Sequence, residues 1–508
     1  MSTSKALKVW SRPLLGDVIS LQNGFAFKSS TYKQSGHFVI RIGNVQDAEI
    51  ALTNPVYVDA SDDKTKAFVL GENDLLMSLT GNVGRVAFIK KNHLPAVLNQ
   101  RVARLFSDTT SCISKKYLFY FLRSPAAKDY LLSVAKGAAQ LNISGKDVLS
   151  IDFPLPSLAE QQEIAAQLDQ LLAQVDSIKA RLDALPAILK RFRQSVLAAA
   201  VSGKLTEEWR HNNFESLSLV DIEQSRRELW EALYLQKTAL QGKELKDEKW
   251  KSRYPSASDV IHDPLSIATP QDLPKSWTLT NLDSVSVLTT GKTPQTTDKD
   301  NWDGEVAFIS PSQVHPDGYI LEPARYVSNI GLKSVPIIRE ASTLIVCIGT
   351  IGKVGFLNTD SVINQQLNAI TPTDTIHPKF MYYWCKTLHQ WLNKTASATV
   401  NAAIINKARL SEAPFPLTSL EEQTEIVRQI EQYFAFADQV EQQVQNAQAR
   451  VNKLTQSILA KAFRGELTAQ WRADNPELIS GDNSAEALLA KIQAERAAVK
   501  PACRKSKD

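Results

Sequence analysis

The chain is poor in the residues on which metal sites and small secreted folds depend. It has four cysteines in 508 residues. They stand at Cys112, Cys347, Cys385 and Cys503, with no CxxC pair and no histidine cluster near them. That spacing argues against a zinc site and a disulfide framework and suits a reducing compartment. The seven histidines form neither HxxxH nor HExxH. No apolar run approaches the length of a membrane span, and "MSTSKALKVW" lacks the apolar core of a signal peptide. A cytoplasmic protein with no membrane contact is expected.

Catalytic signatures are missing as well. The [ND]PP[FYW] tetrapeptide of amino-methyltransferases is absent, since "TNPVY" at Asn54 lacks the second proline. "GTIGKVG" (Gly349–Gly355) fails as a phosphate loop. A Walker A motif needs GxxxxGK[ST], but Val354 follows Lys353 and Cys347 stands where the first glycine belongs. Asp317 and Glu322 could open a nuclease-like acidic set, yet no lysine follows two residues on. Without convergent catalytic residues, a binding protein is the leading class.

Charge of one sign is scarce overall, with a net of +4, but it is unevenly spread. Residues 1–157 carry 19 Lys+Arg against 12 Asp+Glu, whereas 206–275 carry 10 against 13 and 276–418 balance at 11 each. The basic N-terminal region leaves room for a polyanionic partner.

What the chain does have is a repeat. "FPLPSLAEQQEIAAQLDQLLAQVD" (Phe153–Asp176) returns 262 residues later as "FPLTSLEEQTEIVRQIEQYFAFAD" (Phe415–Asp438), with 13 of 24 positions identical. "RFRQSVLAAAVSGKLTEEWR" matches "KLTQSILAKAFRGELTAQWR" at the same offset, and "TGNVGRVAF" answers "GTIGKVGF". Trp10, Val18 and Gly24 match Trp277, Val285 and Gly291. One unit is written twice, a duplication and not a solenoid.

Each unit has two textures. Short apolar runs broken by Gly, Pro, Asn and Asp read as buried strands and turns, so each head is an α/β domain. The glycine motifs read as hairpins between strands. The second texture is a long helix with a heptad seam: Ile164, Leu168, Leu171, Val175, Ile178, Leu182, Leu185, Leu189, Phe192 and Val196 step by four and three. Ile426, Ile430, Tyr433 and onward to Ile458 keep the same phase. Ser157 and Ser419 stand at N-caps with Glu160 and Glu422 three residues on, as in a capping box, and Gly203 and Gly465 are stop signals. Pro186 predicts a kink or break. Such a stripe could pack on its own domain's core, but the strict spacing in both copies favours pairing of the helices with each other. The expected fold is therefore α+β: two α/β domains separated by two long helices in an antiparallel coiled coil, a pseudo-two-fold duplication. The segments are 1–157 (first domain), 158–205 (first helix), 206–275 (connector with a helical stretch), 276–418 (second domain), 419–466 (second helix) and 467–508 (tail with a short helix).

The chain resembles the specificity subunit of a type I restriction–modification system. "GFAFKSS...FVIRIGNV", "TGNVGRVAF...NQR" and "GTIGKVGF...NQQ" are similar to that family's target-recognition domains. The helical motifs quoted above, with "LTQSILAKAFRGELTAQWRADNPELISG", are similar to its spacer and distal regions. The long connector after Trp209 departs from the pattern. The resemblance implies a non-catalytic subunit whose two domains each read half of a bipartite, asymmetric double-stranded DNA target. It also implies docking of two modification subunits, which carry S-adenosylmethionine and methylate adenine, and of restriction subunits, endonuclease–translocases that use ATP and Mg. No cofactor is expected on this chain.

Candidate DNA contacts are Lys28, Arg41, Asn44, Asn82, Arg85, Gln100 and Arg101 in the first domain. In the second they are Lys292, Gln295, Ser312, Gln313, Thr350, Lys353 and Gln365. Arg and Lys can take guanine and Asn and Gln adenine, and loops beside strands can present them. Asn99–Gln100 and Asn364–Gln365 recur in both copies, which suits a shared structural role or common partner equally well. Arg85 and Lys353 share a hairpin position suited to phosphate. The doubled helix starts, Glu160, Gln161 and Glu163 with Glu422, Gln423 and Glu425, suggest one partner bound twice. A stand-alone DNA-binding regulator and a non-DNA scaffold are the alternatives.

Overall fold

The computed structural model describes residues 9–107, 112–137, 140–213, 219–263, 266, 268, 273–398 and 403–499. Two compact units emerge, and neither is one repeat. The first joins Met1–Ala184 to Val444–Asp508, and the second is Leu185–Gln443. Each unit thus takes the head of one repeat and the tail of the other.

In the first unit, strands Ser20–Asn23, Val102–Phe106, Leu75–Ser78 and Val86–Phe88 form an antiparallel sheet in that spatial order. A second sheet pairs His37–Ile40 in parallel with Ala96–Leu98. The second unit repeats both sheets: Ser286–Thr290, Leu367–Pro372, Thr343–Val346 and Val354–Phe356 in one. In the other, Trp302–Ile309 runs parallel to Ser361–Ile363. The glycine motifs are hairpins as expected, between Leu75–Ser78 and Val86–Phe88 and between Thr343–Val346 and Val354–Phe356. Gly81, Gly84, Gly349 and Gly352 all take positive φ, which glycine adopts without strain.

The long helices are Leu158–Val201 and Leu420–Phe463, 44 residues each, about 66 Å at 1.5 Å per residue. Their pairing is antiparallel within each unit. In the first, Gln448 donates to Asp183 at 2.8 Å while Phe463 packs on Tyr117 and Phe121, near the start of the first helix. In the second, Arg193 bonds Asp438 and Glu441, and the Phe192 ring meets that of Tyr433.

Pairing and core packing share the seam. Ile164, Leu168 and Leu172 belong to the first domain's core together with Leu459, Ala462, Phe463 and Ile492. Ile426, Val427 and Ile430 join the second domain's core with Val196 and Ala200. Between the two ends the strict heptad loosens: Ile178 is 46% exposed and Leu454 43%. A seven-residue repeat on a straight helix drifts by about 20° per heptad, and the domain cores capture the ends. Leu172 and Leu459 are buried in place of the expected Leu171 and Ile458, which are half-buried. Pro186 neither splits nor ends the first helix, which runs through it. Proline withholds one backbone donor, and the ladder on either side holds.

Candidate nucleic-acid interface

The first domain's candidates gather at one end of its sheets. Ser78 pairs with Val102 and Asn23 with Ala103. The turns that follow or precede these residues therefore emerge side by side. Leu79 N donates to Arg101 O at 3.0 Å, Phe25 N to Leu98 O at 2.9 Å and Asn99 N to Ile40 O at 3.4 Å. Four loops are knitted by backbone bonds: 24–28, 41–51, 79–85 and 99–101. Gly24 is required there, because a Cβ would stand 2.1 Å from Asn99 O. The second domain repeats the arrangement, with Cys347 N to Gln366 O at 2.9 Å and Asn364 N to Ile309 O at 2.8 Å. A Cβ on Gly291 would lie 2.2 Å from Asn364 O.

On this frame, Lys28, Asn82, Gln100 and Arg101 are exposed, as are Lys292, Gln295, Ser312, Thr350 and Gln365. Gln100 and Arg101 line a polar cleft of about 600 Å³ together with Asn23, Thr80, Gln140 and Asn142. Four of these, Asn23, Thr80, Gln140 and Asn142, are not among the residues expected from the sequence. Asn142 reaches the cleft because it bridges to Lys136 and to Thr80, whose hydroxyl donates to it at 2.7 Å. Only the density of Asn and Gln in "AAQLNISG" hinted at it.

Other candidates are held inward. Asn44 is 2% exposed. Its Oδ1 accepts from Arg41 N at 3.0 Å, and its amide donates to Ala51 O and Thr53 O at 2.9 and 3.0 Å. It closes its own loop and is not the exposed DNA contact that its place in the sequence suggests. Gln313 plays the same part in the second domain, accepting from Ser310 N at 3.0 Å, although it stays half-buried. Arg41 is half-buried and donates to Asn54 O at 2.6 Å. Arg85 bonds Gln46, which positions a half-buried guanidinium beside the hairpin. Lys353 is likewise half-buried, and Gln365 accepts from Thr293.

The larger correction concerns the helix starts. Glu160, Gln161 and Gln423 are fully buried, and Glu422 nearly so, so none of the four is available to a partner. Ser157 and Ser419 do cap, accepting from Glu160 N and Glu422 N at 3.2 and 3.3 Å. The carboxylates turn inward instead of completing the box. Glu160 accepts from Trp10 Nε1 at 2.9 Å, from Thr468 Oγ1 at 2.7 Å and from Arg472, whose guanidinium lies 5.8 Å from the Trp10 ring centre and also bonds Gly465 O. Glu422 repeats this with Trp277 at 2.9 Å, Thr206 at 2.7 Å and Arg210 at 2.9 Å, with Arg210 bonding Gly203 O. The tail of one repeat thereby clamps the helix start of the other. Gln161 and Gln423 tie that start to the domain, accepting from Ser114 N at 2.9 Å and His377 N at 2.8 Å. Glu163 and Glu425 remain half-exposed. A hydrogen bond from Arg428 holds the Glu425 carboxyl below its usual range.

No group of residues able to hold a metal ion occurs among the described residues. Among them, too, no helix is long and apolar enough to cross a membrane. Burial pushes the Cys347 thiol up to about 11 and that of Cys385 higher still, which keeps both protonated.

Comparison with known proteins agrees with this geometry. The family described as type I restriction modification DNA specificity domain matches residues 9–187 and again 274–448. The EcoBI specificity subunit of Escherichia coli is 35% identical over 499 residues, covering 96% of this chain and 93% of that protein. The EcoKI specificity subunit of E. coli K12 is 32% identical over 515 residues, 98% of each. An HsdS subunit from Thermoanaerobacter tengcongensis, 17% identical, shares the fold with a TM-score of 0.55 over 90% of this chain and 97% of that one. Two matched domain segments, two paired helices and full-length relatives lead to one conclusion: the chain belongs to the type I restriction–modification DNA specificity subunit family.

Proposed function

We propose that the two domains each read one half of a bipartite, asymmetric duplex target through their strand-end loops. The observation that carries this is that the loop frame is duplicated while the side chains on it differ. Arg41 is answered by Ser310, Asn82 by Thr350 and Arg101 by Gln366. The same frame bearing different donors and acceptors makes two non-identical readers, and two such readers need a non-palindromic site.

In this reading the chain docks two modification subunits, which bring S-adenosylmethionine and methylate adenine, and restriction subunits, which bring ATP and Mg. It works in the cytoplasm, where the DNA is. Its own role is recognition. With Glu160, Gln161, Glu422 and Gln423 buried, Glu163 and Glu425 remain as partner contacts.

The test is a domain exchange. A related first domain, joined just before Pro154 and keeping a tryptophan at position 10 for the clamp, is expected to change one half of the methylated motif only. Mapping methylated adenines in the host genome reads the result. If both halves change, the reading is wrong. Gel shifts separate the alternatives, because a stand-alone regulator binds its site without the modification subunit.

A further inference from the structure

The connector has no counterpart among the recognition loops, yet it is built into the second domain. Its helix, Leu219–Leu240, is secured by Arg226, whose side chain is 4% exposed. Arg226 donates to Asp283 Oδ1 at 2.9 Å, Tyr254 OH at 2.7 Å and Pro255 O at 2.8 Å. The tail helix, Ala485–Val499, does the same for the first domain: Arg496 reaches Gly16 O at 3.2 Å, and Ile492 is buried as Ile222 is. After Arg226 the connector helix continues through Leu240.

That stretch lines a groove of about 890 Å³. Trp230, Tyr234 and Lys237 form one wall, and Lys292 and Lys407 stand on the other. The wall is stiff, since the Tyr234 ring stacks on Trp250 with planes 3° apart and centres 5.1 Å apart. All three lysines are exposed, and none has an ion-pair partner among the described residues. Among those residues the lining holds one carboxylate, Asp283, which Arg226 already neutralises. Lys292 also belongs to the recognition loop next to Gly291, so the groove opens beside that loop.

We propose that this groove takes the phosphate backbone of duplex DNA next to the second domain's half-site, extending that domain's footprint beyond its recognition loops. The inference rests on the DNA-reading function proposed above. Lysine ammoniums are point charges, and set against phosphates they neutralise the backbone without specifying sequence. The loop shared through Lys292 favours DNA over an acidic protein as the occupant.

The test uses this chain assembled with its modification subunits. Lys237→Ala with Lys407→Ala, neither in the base-reading loops, is compared with the parent on a duplex carrying the methylated motif. Each phosphate that the protein no longer neutralises makes the slope of log K against log salt shallower by roughly 0.9, so the double variant is expected to flatten it by about 2. The methylated motif is expected to stay the same, and Lys237→Arg with Lys407→Arg to restore the slope. A duplex trimmed next to the second half-site is expected to weaken the parent but not the double variant. An unchanged slope with normal assembly overturns the proposal. So does loss of subunit assembly in the double variant, which would assign the groove to a protein partner. If the parent complex shows no sequence-specific binding, the DNA-reading function itself fails instead.

Discussion

Removing the Glu160 carboxylate is the most demanding test of how the first unit is closed. Glu160→Ala strands Arg472, 9% exposed, with only Gly465 O and Thr468 as partners. It also strands the Trp10 Nε1 donor. Breaking a buried ion pair by deleting one partner costs about 3–5 kcal/mol, a large share of the roughly 5–15 kcal/mol that stabilises a domain. For a unit of this size each kcal/mol lowers Tm by about 2–4 °C, so a drop on the order of 10 °C is expected in its transition. Glu160→Gln keeps the volume and an acceptor and is expected to cost about 1–3 kcal/mol. Calorimetry gives the transition, and hydrogen exchange locates it: residues 158–165 and 467–474 are expected to lose protection, while the Glu422 clamp serves as an internal reference. Glu160→Leu with Arg472→Met removes both charges and is expected to recover most of the loss. A cost under about 1 kcal/mol for Glu160→Ala, or equal loosening around Glu422, would refute the clamp.

Arg101→Ala is expected to relax one position of the first half-site and weaken binding by about 1–3 kcal/mol, whereas Asn44→Ala is expected to lower stability and leave the methylated motif unchanged; motif mapping beside thermal denaturation distinguishes them. Phe463→Ala, which empties a site against Tyr117 and Phe121, is expected to cost about 3–5 kcal/mol by urea denaturation. Burial pushes the Asp47 carboxyl up, but Arg123 and Lys128 outweigh that and hold it below its ordinary 3.8. Its stabilising effect is therefore complete above about pH 4 and is lost as pH falls through the lowered value, so exchange in residues 44–51 is expected to accelerate in acid for the parent and to show no such step in Asp47→Asn. The chain alone is expected to take up no S-adenosylmethionine in calorimetry, and micromolar binding would contradict the division of labour between subunits.

The duplication, the two domains and the long helices were legible because repetition and heptad spacing are local patterns. The residues of the clamps repeat as well, Trp10 with Trp277, Glu160 with Glu422, Thr206 with Thr468 and Arg210 with Arg472, but nothing in the repeat marked them as partners. What the pattern could not say was where each carboxylate's partner lay. Repeated acidic residues at a helix start look the same whether they face a second protein or the far end of their own chain. Only folding brings Arg472 to Glu160 across 312 residues. Asn44 misled for a related reason: an amide after a strand suits a base contact and a loop closure equally, and burial decides between them. The cleft residues Asn23 and Asn142 were missed because the pairing of Asn23 with Ala103 and the bridge from Asn142 to Thr80, not proximity in sequence, bring them to Gln100 and Arg101.

The exchange of tails between repeats has a consequence for the order of synthesis. When Glu422 leaves the ribosome, Thr206 and Arg210 already exist, so the second unit's clamp can close at once. The first unit cannot do this. Its core lacks Leu459, Phe463 and Ile492, and Glu160 lacks Arg472, until nearly the whole chain has been translated. At about 5–20 residues per second, the first-made domain waits roughly 15–60 s with an apolar helix face uncovered and a carboxylate unpaired. The domain begun first is thus the last to be finished, and that interval is when the nascent chain is most open to aggregation and most in need of a chaperone.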